Sequence, residues 1–220
     1  MQIHHDSRNF FLDGPSGRLE AILWTPTRSA PISLAVVFCH PHPLFGGTLH
    51  NKVVYQAAKS LDSLGIPVLR FNFRGAGRSA GEHDRGVGET SDVQAAINFL
   101  AQEFQNVPLL VGGFSFGSWV GLRAGCADAR VHELIGLGIP VNSSDFTYLD
   151  SCQKPKLIVQ GTEDQYGSWE KVEPVVARMA GETRLSFVQG ADHFFTGHLD
   201  QLDRAITTWL MERYPNLKKL

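Results

Sequence analysis

This sequence predicts an α/β fold, a mostly parallel sheet with helices on both faces, and three observations carry that prediction. From Leu34 onward, short apolar runs alternate with segments of helical spacing. The runs are apolar almost throughout rather than at every second residue, as strands buried on both faces require. The loops that hold serine, carboxylate and histidine each follow such a run, at the strand ends where ligands of these sheets bind.

The N-terminal part has a different grammar. Asn9–Leu12 and Arg18–Trp24 flank the turn cluster Asp13-Gly14-Pro15-Ser16-Gly17 and read as an antiparallel hairpin. Buried strands are then expected at Leu34–Cys39, Pro67–Phe73, Val107–Gly112, Leu134–Ile139, Lys156–Gln160 and Arg184–Val188. Helices are expected at Asn51–Leu64, Glu89–Phe104, Ser118–Ala127, Trp169–Met179 and Leu199–Arg213. With 220 residues, the chain (1–220) reads as one domain, long enough to bury a core without staples. About 17 residues join Ile139 to Lys156, too few for a cap domain, so a site at these strand ends is expected to be open on one side.

Composition narrows the function classes. A formal net charge of −2 gives no electrostatic reason to expect nucleic acid or an anionic membrane surface. No run approaches the roughly 18 apolar residues of a membrane span. Met1 to Asp13 has no apolar h-region and does not read as a signal peptide. Cys39, Cys126 and Cys152 are odd in number and lack a C-x-x-C spacing, so they read as buried hydrophobes in a reducing cytoplasm. A cytoplasmic protein is therefore expected; its oligomeric state is not legible.

Gly113-Phe114-Ser115-Phe116-Gly117 is the most informative stretch, lying between a strand and a helix. In a G-x-S-x-G elbow the serine stands on a sharp turn with its hydroxyl clear of the sheet, and no side chain fits at the two glycines. A serine hydroxyl needs an adjacent base, and that base an orienting carboxylate. Of the later histidines, His132 precedes a strand and His198 opens the last helix; His193 lies after a strand, at the correct sheet edge. The acid is expected after Lys156–Gln160, where Asp164 is favoured over Glu163, with Asp145 and Asp150 as lesser alternatives and Asp192 as a solvated neighbour.

Acyl transfer also needs two N–H donors for the developing oxyanion. One is expected from Phe116, the other from His40-Pro41-His42-Pro43-Leu44-Phe45-Gly46-Gly47. Pro41 and Pro43 have no N–H, so His42 is the assigned donor, with Leu44 as the alternative. Phe45, Phe114, Tyr166 and Phe194, with Phe116, Phe195 and Trp169 nearby, would form an apolar wall for substrate. His40-Pro41-His42 has the spacing of some metal sites but lacks further ligands, so no metal is expected. Gly75–Gly81 opens no helix, so no dinucleotide and no other cofactor is expected. Arg74 and Arg78 read as holding that loop through carboxylates, with binding of an anionic substrate as the alternative.

His40–Thr48, Asn51-Lys52-Val53-Val54 and Arg70–Ser79, together with the elbow, Gly161–Asp164 and Asp192-His193-Phe194, resemble the small cap-less bacterial α/β-hydrolases. These are relatives of the dienelactone hydrolases and serine esterases. The resemblance covers most of the chain and implies an eight-stranded, mostly parallel sheet with Ser115, Asp164 and His193 as triad. Dienelactone hydrolases proper carry a cysteine nucleophile; Ser115 here favours ordinary ester cleavage instead. The expected substrate is a small-molecule carboxylic ester, with thioesters or small amides as alternatives. The rival from another class is a non-catalytic binding protein on the same fold.

Overall fold

The computed structural model describes residues 5–27, 32–217 and 219; Met1 to His4, the start of the segment read for a leader, lie outside them. Eight strands form one sheet in the order β1-β2-β4-β3-β5-β6-β7-β8. β1 (His5–Gly14) and β2 (Gly17–Pro26) are the hairpin, longer at both ends than its apolar residues indicate. β2 runs antiparallel to β1 and to β4 (Val68–Phe71); every pairing from β4 through β3 (Ala35–Cys39) to β8 (Thr183–Val188) is parallel.

The inner strands are buried on both faces, unlike the edge strands β1 and β8, and the pleat sorts their side chains. Ala35, Val37 and Cys39 of β3 join one core, whereas Val36 and Phe38 join the other. The first core is closed by α2 (Val87–Glu103), α3 (Phe116–Ala127) and α4 (Trp169–Arg178), through residues such as Val93, Ile97, Val120 and Val172. The second is closed by α1 (Lys52–Asp62) and α5 (Leu199–Arg213), through Val53, Ala57, Leu61, Ile206 and Trp209.

Of the boundaries that differ from expectation, three have a plain physical reason. β5 runs Leu109–Phe114, because Gly113 and Phe114 keep their ladder places against Cys39 and Leu137, carrying the strand to the edge of the elbow. β6 runs Val131–Leu137; it starts early because buried Glu133, polar to the eye, is paired with Arg213 at 2.6 Å. Asn51 is a cap rather than a helical residue: its side chain accepts from Val53 N–H at 2.9 Å. Between β6 and β7 (Lys156–Gly161) the chain forms loops and a 3-10 turn at Thr147–Ser151, and no cap domain. Among the described residues no helix is long and apolar enough to cross a membrane.

Arg74 and Arg78 are both committed to carboxylates. Arg74 is buried and bidentate on Asp92, with Nη2 to Oδ1 at 2.7 Å and Nε to Oδ2 at 3.0 Å. Exposed Arg78 meets Glu20 at 2.7 Å. Removing one partner of a buried pair strands the other charge, so Asp92→Ala is expected to lower unfolding free energy by about 3–5 kcal/mol. Arg78→Ala, at an exposed pair, is expected to cost about 1 kcal/mol or less. Urea titration of both variants reads the difference, and equal losses would refute the ranking.

Candidate active site

The turn after β5 sets the geometry. Ser115 has φ 55° and ψ −124°, a conformation that costs a residue with a side chain about 1–3 kcal/mol. It is held from both sides: Ser115 N–H donates to Leu137 O at 2.9 Å, and Ser115 O accepts from Ser118 N–H at 2.8 Å. A Cβ on Gly113 would lie 2.2 Å from Gly117 O, and one on Gly117 would lie 2.4 Å from His40 O. Both positions therefore exclude a side chain.

Ser115, His193 and Asp164 are brought together from the ends of β5, β8 and β7. His193 Nε2 is 2.9 Å from Ser115 Oγ, and His193 Nδ1 is 2.7 Å from Asp164 Oδ2. Asp164 is 2% exposed, and three further donors aim at it. Gln160 Nε2 reaches Oδ2 at 2.8 Å; Tyr166 and Gly167 N–H reach Oδ1 at 2.8 and 3.2 Å. These partners offset the cost of burying the carboxylate and fix its orientation. A carboxylate on Nδ1 leaves Nε2 as the acceptor of the serine hydroxyl.

The other candidates are employed elsewhere. Glu163 is exposed, Asp145 accepts from Thr147 N–H at 2.9 Å, and Asp150 lies 3.4 Å from Arg178. Asp192 accepts from Thr196 N–H at 2.8 Å. Burial pushes the Asp192 carboxyl up, but the Thr196 hydrogen bonds and the Lys52 charge outweigh it and hold it below the usual range. His132 is exposed within β6 rather than before it, and His198 caps α5.

The loop after β3 folds back on itself. Leu44 N–H donates to His42 Nδ1 at 3.3 Å, Phe45 and Gly47 N–H to His42 O at 3.1 Å each, and Gly46 N–H to Pro43 O at 3.2 Å. Leu44, the alternative donor, is thus engaged, whereas the His42 N–H meets no acceptor among the described residues. Phe116 N–H belongs to the first turn of α3, where backbone donors have no intrahelical acceptor. The loop's far end is gripped from β4: Arg70 Nη1 donates to Leu49 O at 3.0 Å, and Asn72 Oδ1 accepts Leu49 N–H at 2.8 Å.

Ser115 opens into a cleft of about 200 Å³ lined by His42, Phe45, Phe116, Tyr166, His193 and Phe194, with Asn51, Ser143 and Ser144 supplying polar atoms. Phe45 is 86% exposed at its rim. Phe114 does not line it, which corrects the sequence expectation. As the last residue of β5 its side chain points into the α1–α5 core, fully buried, with its ring 4.9 Å from that of His193. Phe195 is likewise core, and Trp169 is exposed away from the cleft.

Sequence reasoning missed two side chains behind the site. Gln160 closes the apolar run of β7, and its Oε1 accepts Ile139 N–H at 2.8 Å while Nε2 donates to Asp164. A lone amide ending an apolar strand was the available signal. His40 is fully buried, and burial pushes its imidazole down to about 3, so the ring is neutral. Burial and the neighbouring His83 ring also lower His42, against the opposing charge of Glu89. His83 Nδ1 lies 2.8 Å from Glu89 Oε1 but off the line of a hydrogen bond. Among the described residues no group of three or more His, Cys, Asp or Glu is placed to hold a metal ion.

A parallel sheet with a strained serine elbow after its central strand, and no cap over the strand ends, is the architecture of a cap-less α/β hydrolase. A family model described as an alpha/beta hydrolase domain matches residues 35–205, and the chain belongs to that family. An uncharacterized protein of Rickettsia prowazekii is 37% identical over 211 residues, 91% of this chain and 87% of that one. A structure described as an alpha-beta serine hydrolase homologue from Coxiella burnetii is 37% identical, with a TM-score of 0.87 over 92% of this chain and 97% of that chain. A Xanthomonas campestris structure, described as a serine hydrolase without lid, is 33% identical, with a TM-score of 0.89 over 97% of each chain.

Gln160→Leu removes one donor from Asp164 and leaves Ile139 N–H without its acceptor. It is expected to cost about 1–3 kcal/mol of stability and to lower kcat roughly tenfold by loosening the acid. Paired thermal melts and kinetics check it; unchanged kcat would show that Asp164 needs no such support.

Proposed function

We propose that the chain is a serine hydrolase of carboxylic esters. The observation that carries this reading is the continuous path Asp164–His193–Ser115, with spacings of 2.7 and 2.9 Å, ending at a strained serine in the cleft. Ser115 Oγ attacks the acyl carbonyl carbon while His193 Nε2 takes its proton. Asp164 holds the ring and stabilises the imidazolium. The Phe116 and His42 N–H groups bind the oxyanion. The tetrahedral intermediate collapses, the alkoxide leaves with the proton from His193, and Ser115 stays acylated. Water then repeats the sequence with His193 again as base, releasing the acid.

Among the described residues, no side chain that carries charge lines the cleft apart from His42 and His193. Lys52, near its edge, turns to Thr196 Oγ1 at 3.1 Å. A carboxylate on the acyl part would be desolvated without a partner. Neutral acyl groups are therefore the substrate class, and neutral nitrophenyl esters are expected to exceed half-esters of diacids by about tenfold or more in kcat/KM. Equal rates would refute this selectivity.

The mechanism itself is tested with an organophosphonate probe, expected to label Ser115 alone and to leave Ser115→Ala unlabelled. Loss of ester turnover in Ser115→Ala, by about 10³-fold or more, is the matching kinetic result. No turnover and no labelling of the intact protein would favour the binding-only reading.

A further inference from the structure

We propose that the His40 side chain is a positioning residue that aims the His42 N–H at the oxyanion. The inference rests on the ester-hydrolase reading above, in which that N–H is one of the two oxyanion donors. The donor belongs to the Pro41–His42 peptide, a planar unit whose carbonyl and N–H point in opposite directions. Whatever holds Pro41 O therefore sets the direction of His42 N–H.

His40 Nδ1 lies 2.6 Å from Pro41 O. On the other side of the ring, Phe73 N–H donates to His40 Nε2 at 2.9 Å. The two contacts settle the tautomer independently. A carbonyl can only accept, so Nδ1 carries the proton; a backbone N–H can only donate, so Nε2 is bare. His40 thus ties the oxyanion peptide to Phe73, two residues beyond the end of β4, where the chain is still held to β2 by Asn72 N–H donating to Glu20 O at 2.7 Å. Its ring also packs at 4.7 Å from that of Phe73. Gly47 closes on Pro41 O from another direction, where a Cβ would come within 2.1 Å. Accepting a hydrogen bond at Pro41 O also polarises the amide and strengthens its N–H as a donor.

The bland alternative is a buried histidine that merely satisfies two backbone groups. Two substitutions separate the readings, because each keeps one contact. His40→Asn places an amide N–H near the Nδ1 position and retains a donor for Pro41 O. His40→Gln places an amide oxygen near the Nε2 position and retains an acceptor for Phe73 N–H. Each loses one buried hydrogen bond, so both melting temperatures are expected to fall by similar amounts. Deleting an oxyanion donor outright costs about 10²–10³-fold in kcat. With a neutral nitrophenyl ester, His40→Gln is expected to lose roughly 10–100-fold in kcat, its KM staying within about twofold. His40→Asn is expected to hold kcat within about fivefold of the parent. Equal kcat losses in the two variants, or losses that follow melting temperature, would overturn the inference.

A measurement on the unaltered protein stands beside the variants should either fail to fold. Nitrogen-15 NMR is expected to show His40 as the Nδ1–H tautomer. Its Nδ1–H proton is expected to move downfield when a phosphonate occupies Ser115, as the bound oxyanion pulls on the Pro41–His42 amide. The other tautomer, or a resonance that phosphonate leaves in place, overturns the inference. Failure of the underlying reading looks different: intact protein that neither turns over esters nor takes the phosphonate removes the hydrolase reading, and the role of His40 with it. An active intact protein with equal Asn and Gln losses removes the role of His40 alone.

Discussion

Where α3 begins, backbone meets backbone. Gly117 lies against the carbonyls of Cys39 and His40, so closely that a Cβ there would come within 2.5 Å of both oxygens. That approach sets the serine turn beside the loop leaving β3. Phe116, in the first turn of α3, and His42, in that loop, both line the cleft into which Ser115 opens. The strain at Ser115 is tolerable because the sheet on one side and α3 on the other over-determine the turn. With a side chain at position 117 the helix could not come this near, and no rearrangement elsewhere would recover the juxtaposition.

Behind this contact lies a layer of buried polar side chains, each of which reaches a specific partner, although Arg70 Nε itself meets none among the described residues. Gln160 joins Asp164 to the backbone at Ile139. His40 joins Phe73, just beyond β4, to the Pro41 carbonyl. Arg70 and Asn72 take the carbonyl and N–H of Leu49. Such groups are costly when left unpaired, and satisfied networks confer a unique arrangement rather than great net stability. They explain why Arg70–Ser79 and His40–Thr48 belong together as motifs: the first segment is the rigid frame on which the second, a proline-stiffened loop, is hung. Around the edge, the Arg74–Asp92 pair and the Glu89 carboxylate, which accepts Asp84 and Gly86 N–H at 2.8 Å each, hold the long loop between β4 and α2.

The fold class was legible in the sequence because buried parallel strands are apolar on both faces, and the runs at Ala35–Cys39 and Lys156–Gly161 state this plainly. The order serine, acid, histidine was legible too, since each residue follows a run that could be counted. Boundaries were less so where composition misleads: glycines hid the end of β5, and a buried, paired glutamate hid the start of β6. Phe114 was misjudged because its placement depends on strand phase at the elbow, which moved with that boundary.

By itself, then, the sequence determined which chemical groups stand at the strand ends and in what order, because hydrophobic period and glycine placement are local properties of the chain. Only the tertiary structure decided how those groups face one another. The 2.7 and 2.9 Å spacings at His193 and the Phe73 N–H on His40 Nε2 arise between segments tens of residues apart. In the loop after β3 the partners are backbone N–H and C=O groups, which all residues but proline carry alike and which no residue letter singles out.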